Sequence, residues 1–153
     1  MMNGGYLLPP TFFPRSEAEA KAIGKRVISE QTSEEMRYLM RLNAVAPGGS
    51  GKRAEVAGYY VGGKTGTAEK VVNGRYSSSK RRNAFIAAFP IDDPQYVVLV
   101  VIDEPESEKP GLPATAGMNA APTVGAIIRR AAPMLGLMPR VDADVDQVIK
   151  TSF

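Results

Sequence analysis

Six consecutive positions, Gly62-Gly63-Lys64-Thr65-Gly66-Thr67, hold a lysine, two hydroxyls and three glycines. That combination suits an anionic ligand. Lysine supplies a point charge, each threonine supplies a donor, and glycine removes the side chains that keep backbone N–H groups away from a ligand. The residues leading in, Tyr59-Tyr60-Val61, favour extended backbone, so the set is expected on a strand that forms one wall of an active site.

Two chemistries use such a set. Gly58-Tyr59-Tyr60-Val61-Gly62-Gly63-Lys64-Thr65 satisfies GxxxxGK[ST], and the apolar run 97–102 followed by Asp103-Glu104 is like the strand and acid that hold magnesium in P-loop nucleotide-binding proteins. The context opposes that reading. A phosphate loop opens a helix, whereas Val71-Val72-Asn73-Gly74 follow the lysine and make a good hairpin arm. Lys64-Thr65-Gly66 also matches the K-[ST]-G element of serine acyl-enzymes that work without histidine.

The rest of the composition narrows the chemistry by subtraction. The 153 residues include no cysteine and no histidine, which excludes within this chain a disulfide framework, a Cys/His zinc site, a Ser-His-Asp triad and a cysteine nucleophile. Any general base is therefore Lys, Tyr, Asp or Glu. The charge of +3, from 19 basic and 16 acidic residues, favours anionic ligands without demanding nucleic acid. No metal and no cofactor is expected. Lack of cysteine fits an oxidising compartment. Met1-Met2-Asn3-Gly4-Gly5 has neither part of a secretory leader, and the run 97–102 is too short to span a membrane, so the chain as it stands is expected to be soluble.

The elements that must position the lysine and hydroxyls follow from pattern. Ser16-Glu17-Ala18-Glu19 matches a capping box for a short helix to about Ala22, and Val27-Ile28 reads as a short strand. Thr32-Ser33-Glu34-Glu35 matches a second capping box, with Met36, Leu39, Met40 and Val45 as the core stripe of a three-turn helix. Residues 46–53 form a glycine-rich loop. A long strand is expected over 56–72, a hairpin turn at Asn73-Gly74, a strand over 84–91, a turn at Asp92-Asp93-Pro94-Gln95, and a strand over 96–102 buried on both faces. Three such strands make an antiparallel meander. Residues 104–117 read as a loop, and a helix begins near Pro122 with Val124, Ile127, Ile128, Ala131 and Leu135 on one stripe, ended or kinked by Pro133. The class is α+β: an antiparallel sheet of at least three strands with flanking helices.

The order in which these pieces come carries a resemblance. Gly62-Gly63-Lys64-Thr65-Gly66-Thr67-Ala68-Glu69-Lys70, then Asn73-Gly74-Arg75-Tyr76, Ala84-Phe85-Ile86-Ala87-Ala88-Phe89-Pro90, Asp103-Glu104-Pro105 and Ala120-Ala121-Pro122-Thr123-Val124-Gly125, resembles the C-terminal part of the transpeptidase domain of class B penicillin-binding proteins, most like the division-specific type. The opening Asn3-Gly4-Gly5 with Pro9-Pro10 and the segment 49–53 are similar too. The likeness runs from about Asn3 to Pro139, so residues 1–139 are taken as the C-terminal portion of such a domain and 140–153 as a tail.

The resemblance implies a β-lactamase/transpeptidase-like fold and a D,D-transpeptidase whose serine attacks a D-Ala-D-Ala stem peptide or a β-lactam that mimics it. It gives Lys64 the catalytic role of making the site positive beside an S-x-N serine. Thr65 and Thr67 bind the substrate carboxylate, the Thr67 N–H forms one arm of an oxyanion hole, and Gly66 leaves room for the ligand. The parent protein would be periplasmic, anchored in the inner membrane, and a partner of other division proteins. The family's SxxK nucleophile precedes the K-[ST]-G strand, and no S-x-N occurs in this chain. Ser77-Ser78-Ser79-Lys80 matches SxxK but follows the hairpin, and reads as a solvated loop. The chain is therefore expected to be a truncated piece, inactive alone. The reading from another class is a non-catalytic binding or scaffold fragment of the division machinery, with a homodimer formed through an uncovered sheet face.

Four smaller readings remain. Lys80-Arg81-Arg82, with Lys70 and Arg75, is taken as a solvated face rather than a partner patch. Asp103 and Glu104 are taken as turn residues rather than metal ligands. Glu69 and Lys70 alternate faces, and Tyr76 is placed over the hairpin beside the cleft, with a core or a surface position as the alternatives.

Overall fold

The computed structural model describes residues 1–107, 111–112 and 114–140. Three long strands dominate it. β3 (Gly62–Val72), β4 (Arg75–Phe89) and β5 (Tyr96–Asp103) pair in that order, antiparallel throughout, as the meander requires. Asn73 and Gly74 carry φ of 52° and 75°, the left-handed values a two-residue hairpin turn needs. Upstream, β1 (Tyr6–Leu7) and β2 (Lys25–Arg26) form a two-stranded ribbon around α1 (Glu17–Ile23). The helices α2 (Glu30–Val45) and α3 (Ala120–Met134) complete the α+β architecture.

Helix starts show how local chemistry is read. At α1 the capping box forms as expected, with Ser16 accepting from Glu19 N–H and Glu19 accepting from Ser16 N–H. At α2 the cap lies three residues earlier than the Thr32 box suggests. Ser29 caps by accepting from Thr32 N–H, and the helix runs 16 residues. Its buried face is Ser33, Arg41 and Ala44, while Leu39 is 54% exposed. Of the expected stripe, Met40 packs half-buried against Tyr60, Ala88 and Ile91, and Met36 and Val45 are half-buried, while Leu39 faces outward and the buried Arg41 turns to the Val61 carbonyl beside the sheet. Similarly α3 starts at Ala120 with Asn119 as its cap, and it buries Val124, Gly125, Ile128 and Ala132 while Ile127 and Leu135 are exposed. Pro133 sits in its last turn and Gly136, at φ 81°, follows its end.

Strand bounds differ too. Residues 56–61 are not strand: Gly58 and Tyr60 have φ of 83° and 48°, so the chain turns before it extends. β4 begins at Arg75 rather than near Ala84, which puts Ser77–Lys80 on a strand and not in a loop. The ribbon strand is Lys25–Arg26, just ahead of Val27-Ile28. β5 is buried on one face only, alternating half-buried and exposed along its length.

The core lies between one sheet face and α3. Phe85, Ala87 and Phe89 of β4 meet Val124, Ile128 and Ala132 of α3, with Ala54, Val56, Tyr59 and Val61 from the connecting segment. Phe85 decides where the site loop sits. Its ring occupies the space a Cβ on Gly51 or on Gly63 would need, at 2.9 Å and 2.8 Å, so both glycines let backbone close onto the ring. Gly125 does the same for α3, where a Cβ would sit 3.2 Å from the carbonyl oxygens of Arg53 and Ala54.

Candidate functional site

β3 is an edge strand, and its main chain faces outward at alternate residues. The carbonyl of Val61 accepts from Arg41 at 2.7 Å, that of Gly63 from Asn43 at 2.8 Å, and that of Thr65 from Lys64 Nζ at 2.7 Å. Tyr60 carbonyl, one residue out of phase, accepts from Ile91 N–H on the β4 side. Period-two alternation then turns the N–H of Thr67 to the free edge. Arg41 is itself fixed there, buried and bidentate to Glu55 at 2.5 Å and 3.0 Å.

Side chains divide by face. Thr65 and Thr67 stand opposite Phe85 and Asn83 on the face that α3 covers, whereas Lys64 and Gly66 stand opposite Ile86 and Ala84 on the other. The structure thus brings the two threonines together and places the lysine stem across the strand, with its ammonium returning to the edge at Thr65 carbonyl. Gly66 is under no internal constraint, since an added Cβ would meet nothing nearer than Ala84 Cβ at 3.9 Å.

Thr65 and Thr67 line a groove of about 520 Å³ with Gly49, Ser50, Lys52, Arg53, Thr115, Gly117 and Met118. Its lining carries two cations and no carboxylate. Ser50 Oγ lies 2.7 Å from Thr65 Oγ1 and 3.0 Å from Asn43 Oδ1. Across the groove, Thr67 Oγ1 accepts from Ala116 N–H at 3.1 Å. The Ala116 segment is held by Asn83, fully buried on β4, which donates to Ala114 carbonyl and Asn119 Oδ1 at 2.9 Å and 3.1 Å. Asn43, Ser50, Asn83 and the Ala116 N–H escaped sequence reasoning. A serine between glycines and an asparagine in an otherwise apolar strand start were the available signals.

The remaining singled-out residues gather elsewhere. Lys70 Nζ reaches Asp103 at 2.9 Å and Glu104 at 2.7 Å, Arg82 reaches Asp103 at 3.1 Å, and Lys80 reaches Glu104 at 3.3 Å. Three of the five cations of the basic set, Lys70, Lys80 and Arg82, thus share the two carboxylates at the end of β5. The bonds from Glu104 and Asp103 raise the Lys70 pKa, and those from Lys70 lower both carboxyls, helped by Arg82 at Asp103 and Lys80 at Glu104. Glu69 stays opposite Arg81, on the threonine face. No cluster fit for a metal exists among the described residues. Tyr76 is 75% exposed, at the surface. Ser77 and Lys80 lie along β4, where Ser77 Oγ accepts from Lys80 N–H at 3.2 Å. Lys64 lies in a strand and not at the base of a helix, which removes the structural basis of the nucleotide reading.

A penicillin-binding protein transpeptidase domain model matches residues 1–129. The chain belongs to that family. It is 40% identical over 150 residues to a probable peptidoglycan D,D-transpeptidase FtsI of Caulobacter vibrioides, covering 93% of this chain and 25% of that protein. Among solved structures, the transpeptidase domain of Burkholderia pseudomallei penicillin-binding protein 3 superposes with a TM-score of 0.76 at 33% identity, covering 90% of this chain and 40% of that one. Penicillin-binding protein 3 of Mycobacterium tuberculosis in complex with ampicillin gives 0.70 at 27%, covering 92% and 33%. This chain therefore spans about a quarter of the curated relative's length. The family assignment and the α+β fold agree with the resemblance read from the K-T-G order. No helix among the described residues is long and apolar enough to cross a membrane.

Proposed function

We propose that this chain is the part of a peptidoglycan D,D-transpeptidase that grips the substrate carboxylate and stabilises the oxyanion. Thr65 and Thr67 take the carboxylate of a D-Ala-D-Ala stem peptide or of a β-lactam, Lys64 supplies positive potential at the edge, and Gly66 leaves the strand face open. The N–H of Thr67 donates to the carbonyl oxygen as it becomes an oxyanion, a contribution worth about 3–4 kcal/mol of barrier in other enzymes. The observation that carries the reading is the free edge of β3 beside a groove lined by hydroxyls and cations without a carboxylate.

The nucleophile is not among these residues. The chain's SxxK match lies on β4, part of the sheet, and there is no S-x-N to complete a proton path. The chain alone therefore forms no acyl-enzyme. The whole protein is a membrane-anchored, periplasmic enzyme of septal wall synthesis. Incubation with a fluorescent penicillin followed by denaturing electrophoresis should leave the chain unlabelled, and covalent label on any serine overturns the assignment.

A second reading is favoured by one observation. Ile86, Val97, Leu99 and Val101 share the sheet face away from α3 and are 43%, 62%, 57% and 52% exposed. An apolar face of this kind, with Val97, Leu99 and Val101 on the edge strand β5 and Ile86 on β4 beside it, suits docking, to a division partner or to a second copy. Light scattering showing a clean monomer at high concentration removes the dimer.

A further inference from the structure

The two threonine hydroxyls of the groove have different protons to give, and Asn43 decides the difference. Its amide orientation is set from both ends. Nδ2 faces Gly63 carbonyl at 2.8 Å, which can only accept, and Oδ1 faces Ser50 N–H at 3.1 Å, which can only donate. Oδ1 therefore also takes the proton of Ser50 Oγ, 3.0 Å away. With that proton committed, the 2.7 Å contact between Ser50 Oγ and Thr65 Oγ1 has one polarity: Thr65 donates. Thr67 is the reverse case. Its oxygen accepts from Ala116 N–H at 3.1 Å, and its own proton has no acceptor among the described residues.

We propose that Ser50, fixed by Asn43, is a positioning residue that holds the Thr65 hydroxyl in one rotamer on the groove wall. The inference rests on the carboxylate-binding reading given above. Before ligand arrives, Thr67 offers a free proton and Thr65 lends its proton to a neutral oxygen. A carboxylate is the stronger acceptor, so on binding the Thr65 proton turns about the Cβ–Oγ1 bond towards the ligand, and Ser50 turns its own proton from Asn43 Oδ1 to Thr65 Oγ1, so the 2.7 Å contact persists with reversed polarity while Asn43 Oδ1 keeps the Ser50 N–H. Without Ser50 the side chain samples other rotamers and must be ordered by the ligand. That ordering weakens binding by about threefold to tenfold.

The test uses the 153-residue chain and three forms: native, Ser50→Ala and Ser50→Thr. Three-bond NMR couplings to the Thr65 methyl carbon report its χ1 rotamer without ligand, and titration with N-acetyl-D-Ala-D-Ala gives affinity. Native protein and Ser50→Thr should show one Thr65 rotamer, and Ser50→Ala should show averaging with the affinity loss above, while amide shifts away from the groove stay in place. A single unchanged rotamer in Ser50→Ala overturns the proposal, and so does averaging without loss of affinity. If native protein fails to bind the dipeptide, the carboxylate reading fails, and the unliganded couplings still decide the role of Ser50.

Discussion

Gly66 and Gly63 are three residues apart on one strand and are needed for opposite reasons. A Cβ on Gly63 would lie 2.4 Å from Ile86 carbonyl and 2.8 Å from the Phe85 ring, whereas one on Gly66 meets only ordinary contact. Gly63→Ala should therefore destabilise the fold by about 1–3 kcal/mol through overpacking. Gly66→Ala should leave stability unchanged or raise it by about 0.4–1 kcal/mol, while lowering affinity for a carboxylate ligand. Urea midpoints read the first effect and ligand titration the second. Glu55 gives a further residue-scale expectation. Its removal strands a buried guanidinium, so Glu55→Ala should cost about 3–5 kcal/mol in urea unfolding. At this scale the sequence exposed Lys64, Thr65, Gly66 and Thr67 because lysine, hydroxyl and glycine advertise their chemistry. It hid Arg41, Asn43, Ser50 and Asn83, whose importance comes from distant partners that only the folded chain supplies.

Among elements, β3, β4 and α3 were legible and their edges were not. Alternating β-branched residues and an Asn-Gly turn identify a hairpin whatever surrounds it, and the α1 capping box identifies its helix start. Val56 to Val61 has strand composition, yet tertiary bonds from Ile91 N–H to Tyr60 carbonyl and from Arg140 N–H to Gly58 carbonyl hold it in turns. β5 reads as apolar on both faces, but a strand's composition does not reveal how many neighbours cover it. Phe85 joins these elements, since α3, β3 and the Gly51 turn all close on its ring. Phe85→Ala should cost about 3–5 kcal/mol and should loosen Ser50 from Thr65 as well, so circular dichroism melting and Thr65 couplings should change together.

For the molecule as a whole, ion pairs join distant segments and make stability depend on pH. Arg140 grips Asp92 at 2.8 Å and 2.6 Å and lies over the Tyr60 ring, 4.0 Å from its centroid. The Arg140 hydrogen bonds lower the Asp92 pKa against the cost of burial. A carboxyl whose folded pKa is lowered contributes stability above its ordinary value and loses it as pH falls through the folded value. Asp103 and Glu104 have the same sign. Lys70, raised by them, contributes below its ordinary value and loses that contribution as pH rises through the raised one. Urea midpoints should therefore be level near neutrality and fall below the ordinary carboxylate range, and Asp92→Asn should flatten part of the acid fall. An unchanged acid profile in that variant would remove Asp92 from the account.

Carboxylate binding at the free edge of β3 can be read residue by residue by amide-detected NMR of the 153-residue chain. Titration with N-acetyl-D-Ala-D-Ala should move the N–H signals of Thr65, Gly66 and Thr67 saturably, and the same peptide ending in a carboxamide should move them far less. Equal shifts with both ligands, or shifts confined to other parts of the sheet, would contradict it.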